Sequence, residues 1–412
     1  MKHLIICMVF IGSILSISAR AANWESAPSL NTARVGASSV AYNGYIYVFG
    51  GRTNGNVVLN TVERFDPASG VWDNSTVPNF TYPRYNAAAA VYQGKIYLIA
   101  GHYNNDVTDK VEVYDPVQNS WQEVNELRRE REGLSAVVFN DTLFVLGGQE
   151  YAGYYEEEIE WYDVQNDDWE KREDDIVEPR AAAFISVFQD KLYMCGGTYF
   201  GLMANSYIAN SAFTWFSGPQ MQTGRSYGGT AKVNDLIYMI GGETGSGVSS
   251  LVEVYNPFTL SIDQGPNLPA ARSGLTSAVL NDTIYAIGGW STNHTQILPV
   301  VHFLKVDPST AISDENNPRL PNRLQLAGYP NPFNGIIQFK LNLPQSGEYN
   351  LSVYDIQGKR VREIQNGYLS AGTYNAQWNG SGRNGTPAAS GIYLAVLKSA
   401  NYTKKLKIVY VK

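Results

Sequence analysis

The chain has 412 residues, 44% hydrophobic and 17% charged, with a formal net charge of −7. This length admits two or more domains, the hydrophobic fraction is that of a folded chain, and the negative balance excludes non-specific nucleic-acid binding, which needs a basic surface. Gly (38), Tyr (28) and Trp (8) are plentiful, a bias toward strands and tight turns.

Residues 1–21 have the pattern of a secretory signal peptide: Lys2 and His3, an apolar run from Leu4 to Leu15, then Ala19-Arg20-Ala21 as a small-x-small cleavage site, with cleavage expected after Ala21. The run is too short to span a membrane, and no later segment is apolar enough to do so, so the mature chain is expected to have no transmembrane segment. Of the two cysteines, Cys7 lies in this segment, so no intramolecular disulfide is possible after cleavage. The other, Cys195, reads as a small packed hydrophobe.

From residue 34 onward one pattern recurs six times. It begins RVGASSVAYNGYIYVFGG (34–51) and returns from Arg84, Arg131, Arg180, Arg225 and Arg272, each arginine 16 residues before a Gly-pair position, with Ala100 replacing the first glycine in the second copy. Each copy reads as a hairpin whose turn is a pair such as Asn43-Gly44 or Asn140-Asp141, residues that tolerate positive φ. A third strand follows, ending in motifs such as RFDP (64–67) and VYDP (113–116). A tryptophan seven residues after the aromatic (Trp72, Trp121, Trp169) opens a fourth strand. The fourth copy keeps Trp215 but lacks the Asp-Pro turn, and Ile262 replaces the tryptophan in the fifth.

Four antiparallel strands per unit of about 50 residues make one propeller blade. The chain resembles the kelch family of β-propellers over about residues 22–310, on the Gly pair, the aromatic three before it, the arginine 16 before it and the later Tyr and Trp. The sixth copy lacks a fourth strand. Trp24 precedes Arg34 by 10 residues, as Trp121 precedes Arg131, so residues 24–30 are expected to pair with 300–306 and close the ring.

Residues 311–324 are polar and Pro-bearing, a linker signal. Residues 325–412 show alternating strands at 337–343, 349–356, 373–380, 391–398 and 404–411, which read as a small antiparallel Ig-like β-sandwich. The expected fold is therefore all-β: a six-bladed propeller closed by its N-terminal strand, plus that sandwich. The tail resembles the C-terminal sorting domain of proteins exported by the type IX secretion system of Bacteroidetes-like bacteria, on Tyr329, Pro330, Asn331, Pro332, Phe333 and Asn334, YDIQG (354–358), AGTY (371–374), Trp378, SGIYLAVL (390–397) and Lys404, Lys405 and Lys407. Similar Ig-like modules occur in a flagellar hook-capping family. The sorting resemblance implies recognition by outer-membrane export machinery and a secreted or cell-surface location.

Propeller geometry is expected to bring Arg34, Arg84, Arg131, Arg180, Arg225 and Arg272 around one mouth of the central channel. There they could grip an anion bidentately or brace the blades. The loops after the Gly pairs are rich in Tyr, Asn, Ser and Gly, and offer His102, Tyr103, Tyr199, Trp290 and His294 as ligand contacts. The stretch 150–179 holds thirteen acidic residues but no Asp-x-Asp-x-Asp-Gly loop, and reads as a solvated acidic blade edge. The two-His, two-Tyr, Cys-Tyr set of copper-radical kelch oxidases is not assembled here, and no nucleophile elbow, P-loop or zinc motif is visible. No metal or cofactor is expected. The reading is a secreted or cell-surface monomer that binds a glycan or protein ligand and is not primarily an enzyme. The alternative, carried by resemblance in blade number, is a sialic-acid mutarotase-like enzyme with an arginine-lined channel mouth.

Overall fold

The computed structural model describes residues 23–150, 153–306, 325–343, 347–369, 372–382, 386, 388–399 and 403–411. It divides into two compact units, residues 1–311 and 312–412. The expected signal peptide and linker (1–21 and 311–324) lie outside the described residues.

The first unit is built of six four-stranded antiparallel sheets. In the first blade the strands are β2 (Ser38–Tyr42), β3 (Tyr45–Phe49), β4 (Val62–Asp66) and β5 (Val71–Asp73), hydrogen-bonded in that order. Turn chemistry sets the inner hairpin. Asn43 and Gly44 take φ of 48° and 82°, and Asn140-Asp141, Asn234-Asp235 and Asn281-Asp282 are likewise positive at both positions, as a two-residue primed turn requires. The second strand is the most buried of each blade, because it packs against neighbouring blades on both faces; Ile46, Val48 and Phe49 are essentially inaccessible.

Closure occurs as the sequence predicts. β1 (Glu25–Ala27) is the outer strand of the sixth blade and pairs antiparallel with Val301–Lys305, Glu25 opposite Phe303 and Ala27 opposite Val301. The fourth-strand tryptophans stitch each blade to the one before it. The indole N–H of Trp72 donates to the Pro28 carbonyl, that of Trp121 to Pro78, that of Trp169 to Asn125, that of Trp215 to Asp175 and that of Trp24 to Pro266. Ile262 stands at this position in the fifth blade and has no such donor.

The first strands run beside the axis. Small residues there, such as Ser39, Ala89, Ser135, Ala183 and Thr276, leave a channel of about 230 Å³. Cys195 is buried, and burial pushes its thiol up to about 12, in keeping with a packing role.

The second unit has a three-stranded sheet (Gln325–Tyr329, Ile337–Leu343, Gly372–Trp378) and a four-stranded one (Arg360–Leu369, Gly347–Asp355, Gly391–Lys398, Thr403–Tyr410, in spatial order). Two of these strands, Gln325–Tyr329 and Arg360–Leu369, were not read from the sequence. The first is short and Gly-bearing; the second is half-exposed along its length and lacks a clean alternation. Asn331 and Phe333 clamp the last strand. Asn331 accepts from the Val409 N–H and donates to the Lys407 carbonyl, and Phe333 stacks on Tyr410 at 4.9 Å and packs on Trp378.

Candidate functional site

The six repeated arginines do not line the mouth, which corrects the expectation that propeller geometry brings them there; of the two roles open to them, gripping an anion or bracing the blades, they take the second. Each is at most 1% exposed, and each guanidinium turns into its own blade. Arg34 Nη1 donates to the Gly50 carbonyl at 2.9 Å, and the same bond recurs from Arg84 to Ala100, Arg131 to Gly147, Arg180 to Gly196, Arg225 to Gly241 and Arg272 to Gly288. The residues so joined are 16 apart in every blade. The spacing is thus the length of the inner hairpin that the arginine closes.

A glutamate on the third strand completes four of the braces: Arg34–Glu63, Arg84–Glu112, Arg131–Glu160 and Arg225–Glu253. Desolvation pulls Arg34 and Arg225 down, against the opposing pull of Glu63 and Glu253, and takes Arg84 to about 10, which leaves Arg84 charged at neutral pH. In the fourth blade Tyr207 faces Met194, where four of the other blades carry the acid, and Arg180 pairs instead with Glu178. In the sixth, Arg272 meets the Nδ1 of His302 at 3.0 Å. The signal in sequence is a Glu two residues before the third-strand aromatic, and it passed unread.

The mouth is built by the residues just beyond these arginines. Gly36, Asn86, Gly133, Ala182, Tyr227 and Gly274, two residues after each arginine, all take φ between 52° and 64°. Each donates its N–H to the carbonyl of the same position in the preceding blade, and Gly36 donates to Gly274, so six bonds close a ring around the axis. A left-handed backbone is cheap for Gly and tolerable for Asn, but is a true outlier for an aromatic. Tyr227 is therefore held in strain at the mouth. Its hydroxyl is raised above its usual range by burial first, then by Glu132, Tyr155 and Tyr85.

Beside this ring lies a cavity of about 360 Å³, walled by Arg52, Tyr85, Tyr227, Glu243, Trp290 and His294 among others. Arg52 directly follows the first Gly pair. Its guanidinium carbon sits 5.1 Å from the Tyr85 ring centre and 5.8 Å from that of Trp290. Its Nε is buried without a partner, and among the described residues it forms no ion pair. Across the cavity His294 Nε2 and Glu243 Oε2 are 2.9 Å apart, and the Ser273 hydroxyl is 3.4 Å from the same nitrogen. An unpaired guanidinium between two aromatic faces is a site for a planar anion, since low dielectric strengthens a charge-assisted bond and ring stacking fixes the plane.

Of the expected loop contacts, Trp290 and His294 line this cavity. His102 lies at the edge of the mouth, stacked on Tyr85 at 4.7 Å and 3.5 Å from Glu132. Tyr103 packs edge-on against Tyr82, outside the cavity lining, at the end of a long hairpin in the second blade. Tyr199 belongs to a separate aromatic group. Sequence reasoning missed Arg52, Tyr85, Tyr227, Glu243 and Ser273. The available signal was positional: the residue after each Gly pair (Arg52, His102, Gln149, Thr198, Glu243, Trp290) bridges to the residue after each arginine, which puts these twelve on one face.

A family model described as the KLHDC2/KLHL20/DRC7 Kelch-repeats domain matches residues 13–197, and one described as the FlgD Ig-like domain matches residues 333–402. The chain carries an N-terminal kelch-repeat domain and a C-terminal Ig-like domain. The kelch region is similar to Kelch-like protein 36 of Rattus norvegicus (25% identical over 277 residues, 61% of this chain and 45% of that protein) and to Kelch-like protein 26 of Danio rerio (27% over 157 residues, 36% and 26%). A third relative is the Kelch-like protein terF of Aspergillus terreus (30% over 152 residues, 33% and 32%). The chain thus spans less than half the length of these relatives. The solved structure of YjhT superposes with a TM-score of 0.58 at 16% identity, covering 67% of this chain and 96% of that one, which establishes a shared kelch fold.

Proposed function

We propose that this kelch protein is a secreted or cell-surface binder of a glycan, and that the glycan presents an acidic sugar to the cavity at the channel mouth. One observation carries the reading: Arg52, unpaired and stacked between Tyr85 and Trp290, in a cavity of about 360 Å³ that suits a single pyranose. The carboxylate would take the guanidinium fork, and the ring would lie among Tyr85, Tyr227 and Trp290. A glycan array probed with the full chain tests this. Glycans ending in an acidic sugar bind and their neutral counterparts do not; binding of neutral glycans alone, or of protein ligands alone, would overturn it.

A second reading, anomer exchange on an acidic sugar, is favoured by the His294–Glu243 pair in the wall of the same cavity, since paired imidazole and carboxylate can move a proton. It ranks second because a single arginine rather than several reaches the cavity. Exchange spectroscopy on N-acetylneuraminic acid separates the two: no acceleration over buffer fits binding alone, whereas acceleration lost in Glu243→Gln supports exchange.

We further propose that residues 325–412 address the chain to outer-membrane secretion machinery after residues 1–21 carry it to the periplasm. The motif residues Asn331 and Phe333 are built into the clamp on the terminal strand, which supports a preserved recognition module. In a host with a type IX system, a chain ending at residue 324 would stay periplasmic; normal export of that chain would leave the domain a spacer.

A further inference from the structure

Three aromatic side chains on the mouth face belong to no core cluster. Tyr155, Tyr199 and Phe200 form a closed triad with ring centres 4.8 to 5.5 Å apart. Phe200 is 81% exposed and sits at φ 50°, an unfavourable backbone for an aromatic. Its loop is tied down on both sides: the Tyr199 N–H and the Thr198 hydroxyl both donate to the Gly201 carbonyl, and Thr198 bridges to Ala181 and Leu202. A loop that spends backbone strain to hold an aromatic in water is a feature that packing does not explain.

The triad faces the same way as the cavity. Thr198 and Gln149, which anchor the two loops, hold the same repeat position as Arg52 and Trp290. Tyr227 connects the two regions: it walls the cavity, and Tyr155 is among the groups near its hydroxyl. The surroundings of the triad are acidic. Glu156 and Glu157 follow Tyr155 in sequence, and burial with a hydrogen bond to Glu150 raises Glu156 to about 7. The triad is too small for a protein partner. Three aromatic rings fall short of the roughly 800 Å² per side that a stable protein interface needs. Exposed aromatic faces on an acidic loop instead suit neutral sugars, whose C–H faces stack, and the negative charge of that loop disfavours a chain that is anionic throughout.

We infer that the ligand is an oligosaccharide with one acidic terminal sugar in the cavity and neutral sugars that leave it across Tyr155, Tyr199 and Phe200. This rests on the acidic-sugar reading above and adds a second subsite to it.

The test titrates the full-length protein with N-acetylneuraminic acid and with 3′-sialyllactose, whose acidic sugar is terminal on a neutral disaccharide. The trisaccharide binds about tenfold more tightly than the monosaccharide. Phe200→Ala and Tyr199→Ala each remove most of that advantage and leave the monosaccharide within about twofold, as expected where a ring contact worth about a factor of ten is lost. Phe200→Trp keeps the advantage, and because Phe200 is exposed its replacement leaves the packing of the blade unchanged. Equal affinities in the wild type, or an advantage that survives both alanine variants, would overturn the second subsite while Arg52-dependent binding still stood. Affinities unchanged in Arg52→Gln would remove the cavity reading itself, and this inference with it.

Discussion

The guanidinium of Arg34 donates to the carbonyl of Gly50 at 2.9 Å, while the carbonyl of Arg34 accepts from the N–H of Gly289 in the preceding blade. One residue thus closes its own hairpin with its side chain and joins the neighbouring blade with its backbone. The geometry also explains the glycine. A Cβ on Gly50 would meet the Arg84 carbonyl oxygen at 2.3 Å.

Because these ion pairs are buried, removing one partner leaves a charge without compensation. Arg131→Met would lower stability by about 3–5 kcal/mol, and the double variant Arg131→Met/Glu160→Leu would recover much of it. Chemical denaturation checks this. Equal losses in the single and double variants would contradict a mutual brace.

The sixth blade carries an acid-sensitive contact. Burial and then the Arg272 charge hold His302 at about 4, below its usual value of 6.5. The unfolded chain therefore binds this proton more readily than the folded one. Stability contributed here is fully present above pH 6.5, declines as pH falls toward 4 and changes little below it. His302→Glu, which copies the pairing of the first three blades, would raise the melting temperature at pH 7 and flatten its dependence between pH 4 and 6.5. An unchanged pH profile would contradict the assignment.

Tyr227 marks a place where stability and function part. Replacing it with Asn, the residue of the second blade at this position, relieves left-handed strain of about 1 kcal/mol. Tyr227→Asn would melt at or above the wild-type temperature and bind the acidic glycan more weakly. A less stable variant with normal affinity would mean that the strain serves packing alone.

Ring closure by β1 gives a fourth expectation. Deleting residues 23–30 exposes the edge of Val301–Lys305 and removes Trp24 from its contact with Pro266. The product would be soluble but markedly less heat-stable. An unchanged melting temperature would contradict the closure.

The fold was legible because turn chemistry and the Gly pairs repeat six times, and even the displaced strand at Trp24 could be placed by register. The arginines were legible as positions but not as roles. Each guanidinium turns inward to a carbonyl 16 residues on and, in four blades, to a third-strand acid, and Glu63 and Glu160 are single residues on strands read mainly for their aromatics. The cavity was hidden for the opposite reason. Arg52, Tyr85 and Trp290 lie on three different blades and meet only after the ring closes, and each breaks the repeat instead of following it. In the tail, Ile337–Leu343 and Gly391–Lys398 were read to the residue because one face of each is buried, while Arg360–Leu369 is half-exposed throughout and gave no alternation to read.

The most direct measurement is a calorimetric titration of the full chain and its Arg52→Gln variant with a glycan ending in an acidic sugar. The wild type is expected to bind, and the variant to bind at least about tenfold more weakly with an unchanged melting temperature, since a charge-assisted pair in a partly buried site is worth about 1.5–3 kcal/mol. Equal affinity in the two proteins would contradict the account.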